Sequence, residues 1–255
     1  MNRIEWIDIA KGIAIFLMVM GHTTIPEFGT KFIWSFHMPL FFIVSGYLYN
    51  EEKNRDYFLF FLKISRNLLV PYLFFSVINY IGFKFVCTPG CINVDIDKIY
   101  QTGWLGIALW FVQVLFITEL LYNRFVWLRL KFGISIVAFL LLISYFWGYY
   151  LFVKEIMLPY TMSTVFHALV FFSLGDLLKI IIKEFAPTTL ISVTMIVLTF
   201  LFAQFLPKLD LCSNNYGFLF LNTILAVWNS ERVFNIKEFK YWFYGFNQKV
   251  LSLGG

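Results

Sequence analysis

Charge is what this chain has least of: Asp, Glu, Lys and Arg together make up 14% of its 255 residues, against roughly a quarter in an ordinary soluble domain. A water-facing surface cannot be built from so few charges, which excludes the soluble globular class. Cysteine and histidine occur three times each, with no metal-ligand spacing among them, and three cysteines make no disulfide framework. Cys87 and Cys91 either close a small loop, if they face an oxidising compartment, leaving Cys212 over, or all three stay as thiols. A small-residue cleavage site is missing after the first apolar run, so that run reads as a retained first helix and not as a signal peptide. Internal repeats, low-complexity tracts and a second domain are missing too, and residues 1–255 read as one integral-membrane domain.

What the chain has in excess is apolar surface. Hydrophobic residues reach 60%, aromatics 22% with 33 phenylalanines, and the mean hydropathy is +0.76. Together these predict an all-α, polytopic transmembrane helix bundle. At about 20 apolar residues per crossing, about eight spans are expected, near 5–24, 32–49, 67–86, 104–122, 133–153, 161–180, 188–206 and 216–230.

The formal net charge of +5 sits in short clusters between those runs and not along one stripe, which argues against nucleic acid. Arg3, Lys11, Lys53, Arg55, Lys63, Arg66, Arg124, Arg129, Lys131, Lys179 and Lys183 fall on the N-terminal side of the alternating connections. Lys31, Lys84, Lys98, Lys154 and Lys208 fall opposite. The loop-charge rule then puts the N-terminus in the cytoplasm and the Cys87–Cys91 loop outside, which favours the disulfide. Residues 50–67 mix Arg55, Lys63 and Arg66 with Tyr57, Phe60 and Phe61, and read as either a basic amphipathic helix in the interface or a solvated loop.

Ionisable residues inside the apolar runs are expensive in lipid and point to function. Lys11 and His22, eleven positions apart, return to nearly the same face of a helix, with roughly 16 Å of rise between them. That places a cation near one membrane surface and an imidazole far from it. Imidazole is the side chain whose titration lies nearest neutrality, so His22 is the first candidate for a general base. Lys11 can hold an anion as a point charge or merely anchor topology, and Asp8 can pair with it at i, i+3. His37 precedes Met38 and Pro39; the proline forfeits one helical hydrogen bond and opens a kink. His37 then either positions a substrate or bridges two helices. Glu119, with Gln113 on the same run, orients His22, or lines an acceptor path, or lies in the interface near Arg124. His167, Asp176 beside Lys179, Asn79 and Asn222 read as helix contacts, and Ser45 and Gly46 as close-approach positions.

The segment from Ile7 to His22, a basic residue followed by ten positions and a His, resembles the signature of the membrane-bound acyltransferase 3 family. FIWSFHMPLFFIVSGYLY resembles its second-helix motif, and WFVQVLF and LVFFSLGDLLK resemble later helices. Lysine in place of the commoner arginine is similar to the fucose 4-O-acetylase-like branch. The resemblance implies an enzyme of roughly ten helices. It would move an acyl group, usually acetyl from acetyl-CoA as co-substrate with no bound cofactor, onto a hydroxyl of a carbohydrate or cell-envelope glycan at the plasma membrane. It further implies His22 as the catalytic base, with Lys11, His37, Asp8 and Glu119 binding donor or acceptor and the bilayer, acyl-CoA and glycan as partners.

Family members continue past a Gly-Asn-Ser-like turn, whereas here Tyr244-Gly-Phe-Asn resembles only its start, so the C-terminal helices are expected to be missing. Two other readings of the same residues stay open: a sugar or lipid-linked-sugar transporter or flippase, against which no second copy of the His-Met-Pro break counts, and an inactive truncated remnant.

Overall fold

The structure, a computed structural model, describes residues 5–86, 109–156, 158–184, 189–205 and 210–211. Two compact units divide them: one runs up to Tyr47 and resumes from Leu174 to Phe205, the other covers Leu48–Ser173 with residues 210–211. Among the described residues there is no β-strand. The helices are α1 (Glu5–Gly21), α2 (Glu27–Leu48), α3 (Tyr57–Ile64), α4 (Val70–Val86), α5 (Trp110–Phe132), α6 (Ile134–Val153), α7 (Val165–Glu184) and α8 (Thr189–Phe205).

Helices α3 and α4 are one rod, joined by a π-helical turn at Ser65–Leu69. Pro71 accounts for the turn. It has no N–H to give the carbonyl four residues back, and its ring would clash there; widening one turn relieves both. The rod therefore begins at Asp56, whose Oδ1 accepts the Leu59 N–H at 3.0 Å as an N-cap. This corrects the expected division into a connector at 50–67 and a span from 67, since Tyr57–Gly82 forms a single apolar helix of 26 residues.

The expected count of about eight helices is also corrected, to seven rods among the described residues. Four of them are long and apolar enough to cross a bilayer: Tyr57–Gly82, Trp110–Phe132, Ile134–Val153 and Thr161–Lys179. The run at 216–230 lies outside the described residues, as do Cys87, Cys91 and Cys212.

Helix α5 starts and ends later than the hydropathy of 104–122 suggested. Arg124, Arg129 and Lys131 do not end it, because long basic side chains can lay their stems along a helix and extend their heads toward water. It stops at Gly133, whose φ of +89° belongs to a region that side chains rarely tolerate, and α6 starts at the next residue. On α4 and α6 the exposed side chains are large and apolar, among them Phe74, Val77 and Phe85, and Phe139, Leu142 and Phe146. Surfaces of this kind need lipid and not water around them. The protein is thus a multi-pass membrane protein.

Each unit has its own packing logic. In the first, α8 crosses the start of α2 through Phe200 against Phe28 and Phe32, and Gln204 Nε2 donates to the Phe28 carbonyl at 3.2 Å. Gly175 on α7 lies on the backbone of Ile43, leaving no space for a Cβ. In the second, Tyr49, Tyr122 and Phe172 form an aromatic cluster. There the His167 ring fills the place a side chain at Gly148 would need, and Ser144 Oγ donates to the Phe166 carbonyl at 3.0 Å.

Candidate functional site

Helix α1 ends one residue before His22. The His22 N–H reaches back to Val19 at 3.1 Å and the Thr23 N–H to Met20 at 3.0 Å, a tightening last turn that satisfies carbonyls otherwise left open. Trp34 Nε1 donates to the Gly21 carbonyl at 3.2 Å. Trp34 thus caps the helix from the neighbouring rod, and it fixes the residue that carries His22. Gly21 is what permits this, since a Cβ there would stand 3.2 Å from both Trp34 Nε1 and Ile33 Cγ2.

The His22 ring is exposed and stands edge-on to Trp34, with centroids 5.7 Å apart. Trp34 stands edge-on to His37 at the same separation. Two imidazoles are thereby spaced by one indole. His37 is buried, and its Nδ1 lies 2.8 Å from the Ile33 carbonyl. Since a carbonyl only accepts, Nδ1 carries a proton in this contact. Helix α2 runs through Pro39 without a break.

Lys11 is half-buried on α1 and forms no ion pair among the described residues. With ten residues of rise from Lys11 to Gly21, roughly 15 Å separates it from the helix end. Lys11 and His22 therefore do not touch, and only an extended molecule can meet both. His22 lies past the last helical residue, so the turn and not the 3.6-residue period sets its direction. The Asp8 side chain lies outside the description.

Glu119 is half-buried on α5, in the second unit, with Lys63 as its electrostatic counter-charge. The Arg124 guanidinium lies 3.3 Å from the centroid of the Tyr57 ring. Gln113 accepts from the Tyr72 hydroxyl at 2.9 Å. His167 contacts Gly148 and Tyr145, and Asp176 pairs with Lys179 at 2.5 Å.

The second unit also holds a cleft of ≈ 720 Å³ between the 49–57 connection and the end of α5, lined by Arg55, Arg124, Lys131, Glu52, Tyr57 and Trp127 among others. Asn123 is its keystone, giving one N–H to the Tyr49 hydroxyl at 2.9 Å and another to the Asn54 carbonyl at 2.8 Å. Glu51 pairs with Arg129, and Lys63 Nζ donates to Asn54 Oδ1 at 3.1 Å. In the sequence these basic residues read as topology signals, with Arg55 and Lys63 also in a candidate interface helix and Arg124 near Glu119. The signal was their count, but nothing local said that residues near 55 meet residues near 127.

The family model described as an acyltransferase domain matches residues 4–236, a stretch that takes in every described helix. No curated protein and no solved structure matches the chain.

Proposed function

Because this chain belongs to the acyltransferase-domain family of acyltransferase 3 type, we propose that it is a membrane O-acyltransferase of the fucose 4-O-acetylase-like branch. In this reading it moves an acetyl group from cytoplasmic acetyl-CoA to a hydroxyl of a carbohydrate or cell-envelope glycan. The observation that carries the reading is the exposed His22 ring at the end of α1, held against Trp34 with His37 beyond it.

The chemistry follows from what each group can do. A sugar hydroxyl is a poor nucleophile near neutral pH. A neutral His22 ring takes its proton as the oxygen attacks the thioester carbonyl. The C–O bond forms, the C–S bond breaks, and the proton passes from imidazolium to the departing sulfur, so the products are the acetyl ester and the free thiol. Trp34 restricts where the His22 ring can stand, and such positioning is worth much of a barrier when two reactants must meet. His37, buried one indole away from His22, helps to position the substrate. Lys11 takes a donor phosphate as a point charge, oriented by Asp8.

The roughly 15 Å between Lys11 and the helix end suits a donor with its phosphates at one end and its thioester at the other. With the N-terminus cytoplasmic, as the basic connections favour, the plasma membrane would have the donor phosphates on its inner side and the hydroxyl near His22.

His22→Ala, expressed in membranes given labelled acetyl-CoA and acceptor glycan, is expected to abolish transfer while the protein still accumulates. Transfer at the wild-type rate would remove the proposal.

A further inference from the structure

We propose that the cleft between the 49–57 connection and the end of α5 is a binding site for a phosphate ester. Four observations carry it.

The first is unbalanced charge. Glu51 is taken by Arg129, so Arg55, Arg124 and Lys131 face Glu52 alone among the lining groups, a surplus of two positive charges. Among the described residues none of these three cations forms an ion pair. A lone carboxylate would neutralise half of that surplus, whereas a phosphate monoester, with about 1.5 to 2 negative charges near pH 7, matches it.

The second is geometry. Stacking on Tyr57 at 3.3 Å occupies the face of the Arg124 guanidinium and leaves its N–H edge to meet a planar pair of oxygens, the arrangement in which arginine binds phosphate best. Lys131 Nζ lies 5.2 Å from the centroids of both Trp127 and Phe132, so it too is held in place by a ring. Cations ordered before binding lose less freedom when a ligand arrives.

The third is a rigid floor. Asn123 is buried and spends both donors on the opposite wall, on the Tyr49 hydroxyl and the Asn54 carbonyl. The fourth is size: ≈ 720 Å³ lies within the usual range for small-molecule sites. Exposed Trp127 and Leu130 at the cleft give an apolar or flat body somewhere to lie beside its phosphate.

Two sources present this chemistry, a soluble nucleotide-like phosphate ester and an anionic lipid headgroup, and the experiment separates them. The protein is reconstituted in phosphatidylcholine nanodiscs and titrated with adenosine 3′,5′-bisphosphate; in parallel, retention of phosphatidic acid, whose headgroup is a phosphate monoester, is measured by native mass spectrometry. Saturable nucleotide binding that weakens at least tenfold in the Arg124→Gln/Lys131→Gln double variant, and is unchanged in Lys154→Gln, assigns the site to a soluble phosphate ester. Absent nucleotide binding, with retained phosphatidic acid that the double variant loses, assigns it to a headgroup. Should neither probe respond to the substitutions, the site is refuted.

Arg55→Gln removes an exposed cation without touching the Tyr57 stack, and so repeats the test if the double variant fails to fold; it is expected to weaken binding severalfold. Arg124→Lys, which keeps the charge and loses the fork, is expected to weaken binding less than Arg124→Gln. Binding is read without turnover, so this site stands or falls separately from the role of His22.

Discussion

Trp34 closes the helix that ends at Gly21: its Nε1 donates to the Gly21 carbonyl at 3.2 Å across thirteen residues of sequence. One hydrogen bond thereby ties the second rod to the last turn of the first, at the residue next to His22. Trp34→Phe keeps a ring beside both imidazoles and removes the donor. It is expected to cost about 1 kcal/mol of stability and to reduce transfer roughly tenfold, with the acetyl-CoA requirement little changed. Steady-state rates in membranes, alongside thermal unfolding in detergent, separate the two effects. Retention of full activity with a lower unfolding temperature would make Trp34 a purely structural cap.

Gly175 lies on the backbone of Ile43, where a Cβ finds no space. Backbone cannot swing aside as a flexible side chain can, so Gly175→Ala must separate α7 from α2. Overpacking of this kind costs about 1–3 kcal/mol, occasionally more. A lower melting temperature or a lost monodisperse peak in detergent is the expected outcome. An unchanged melting temperature would place the two helices further apart than described.

Asn123→Ala leaves the Asn54 carbonyl and the Tyr49 hydroxyl without the amide that serves both. Buried polar groups deprived of a partner cost about 1–3 kcal/mol. Thermal unfolding should fall accordingly, whereas Asn79→Ala, on a half-buried position of α4, should have a smaller effect. Equal losses at the two positions would deny Asn123 its central place in the second unit.

Lys11→Ala is expected to raise the acetyl-CoA concentration needed for half-maximal transfer more than it lowers the maximal rate, because a phosphate grip remote from the reacting carbonyl contributes mainly to binding. Loss of maximal rate alone, at an unchanged requirement, would assign Lys11 to the chemistry instead.

The apolar rods were legible because lipid imposes a local rule: every backbone group must bond within its own helix, so length and hydropathy speak residue by residue. The same rule failed where a proline intervened. Around Pro71 the charged connector and the apolar run look like two segments, and only the π turn makes them one rod. It failed again at α5, where Arg124 and Arg129 read as a loop although they decorate the end of a helix. His22, Lys11 and His37 stood out as ionisable groups in apolar runs. His22 sits one residue past the helix it was counted on.

The amino-acid sequence by itself determined that the chain lives in a membrane, that it is helical and which family it belongs to, because composition, hydropathy runs and a motif of one or two helices are properties of neighbours along the chain. Tertiary structure alone decided that Trp34 would cap Gly21, that Gly175 would meet Ile43, and that Arg55 would share a cleft with Arg124 and Lys131. Those contacts join residues from 13 to more than a hundred positions apart. They depend on how rods cross and on which small residue lets them approach, and no local periodicity encodes either.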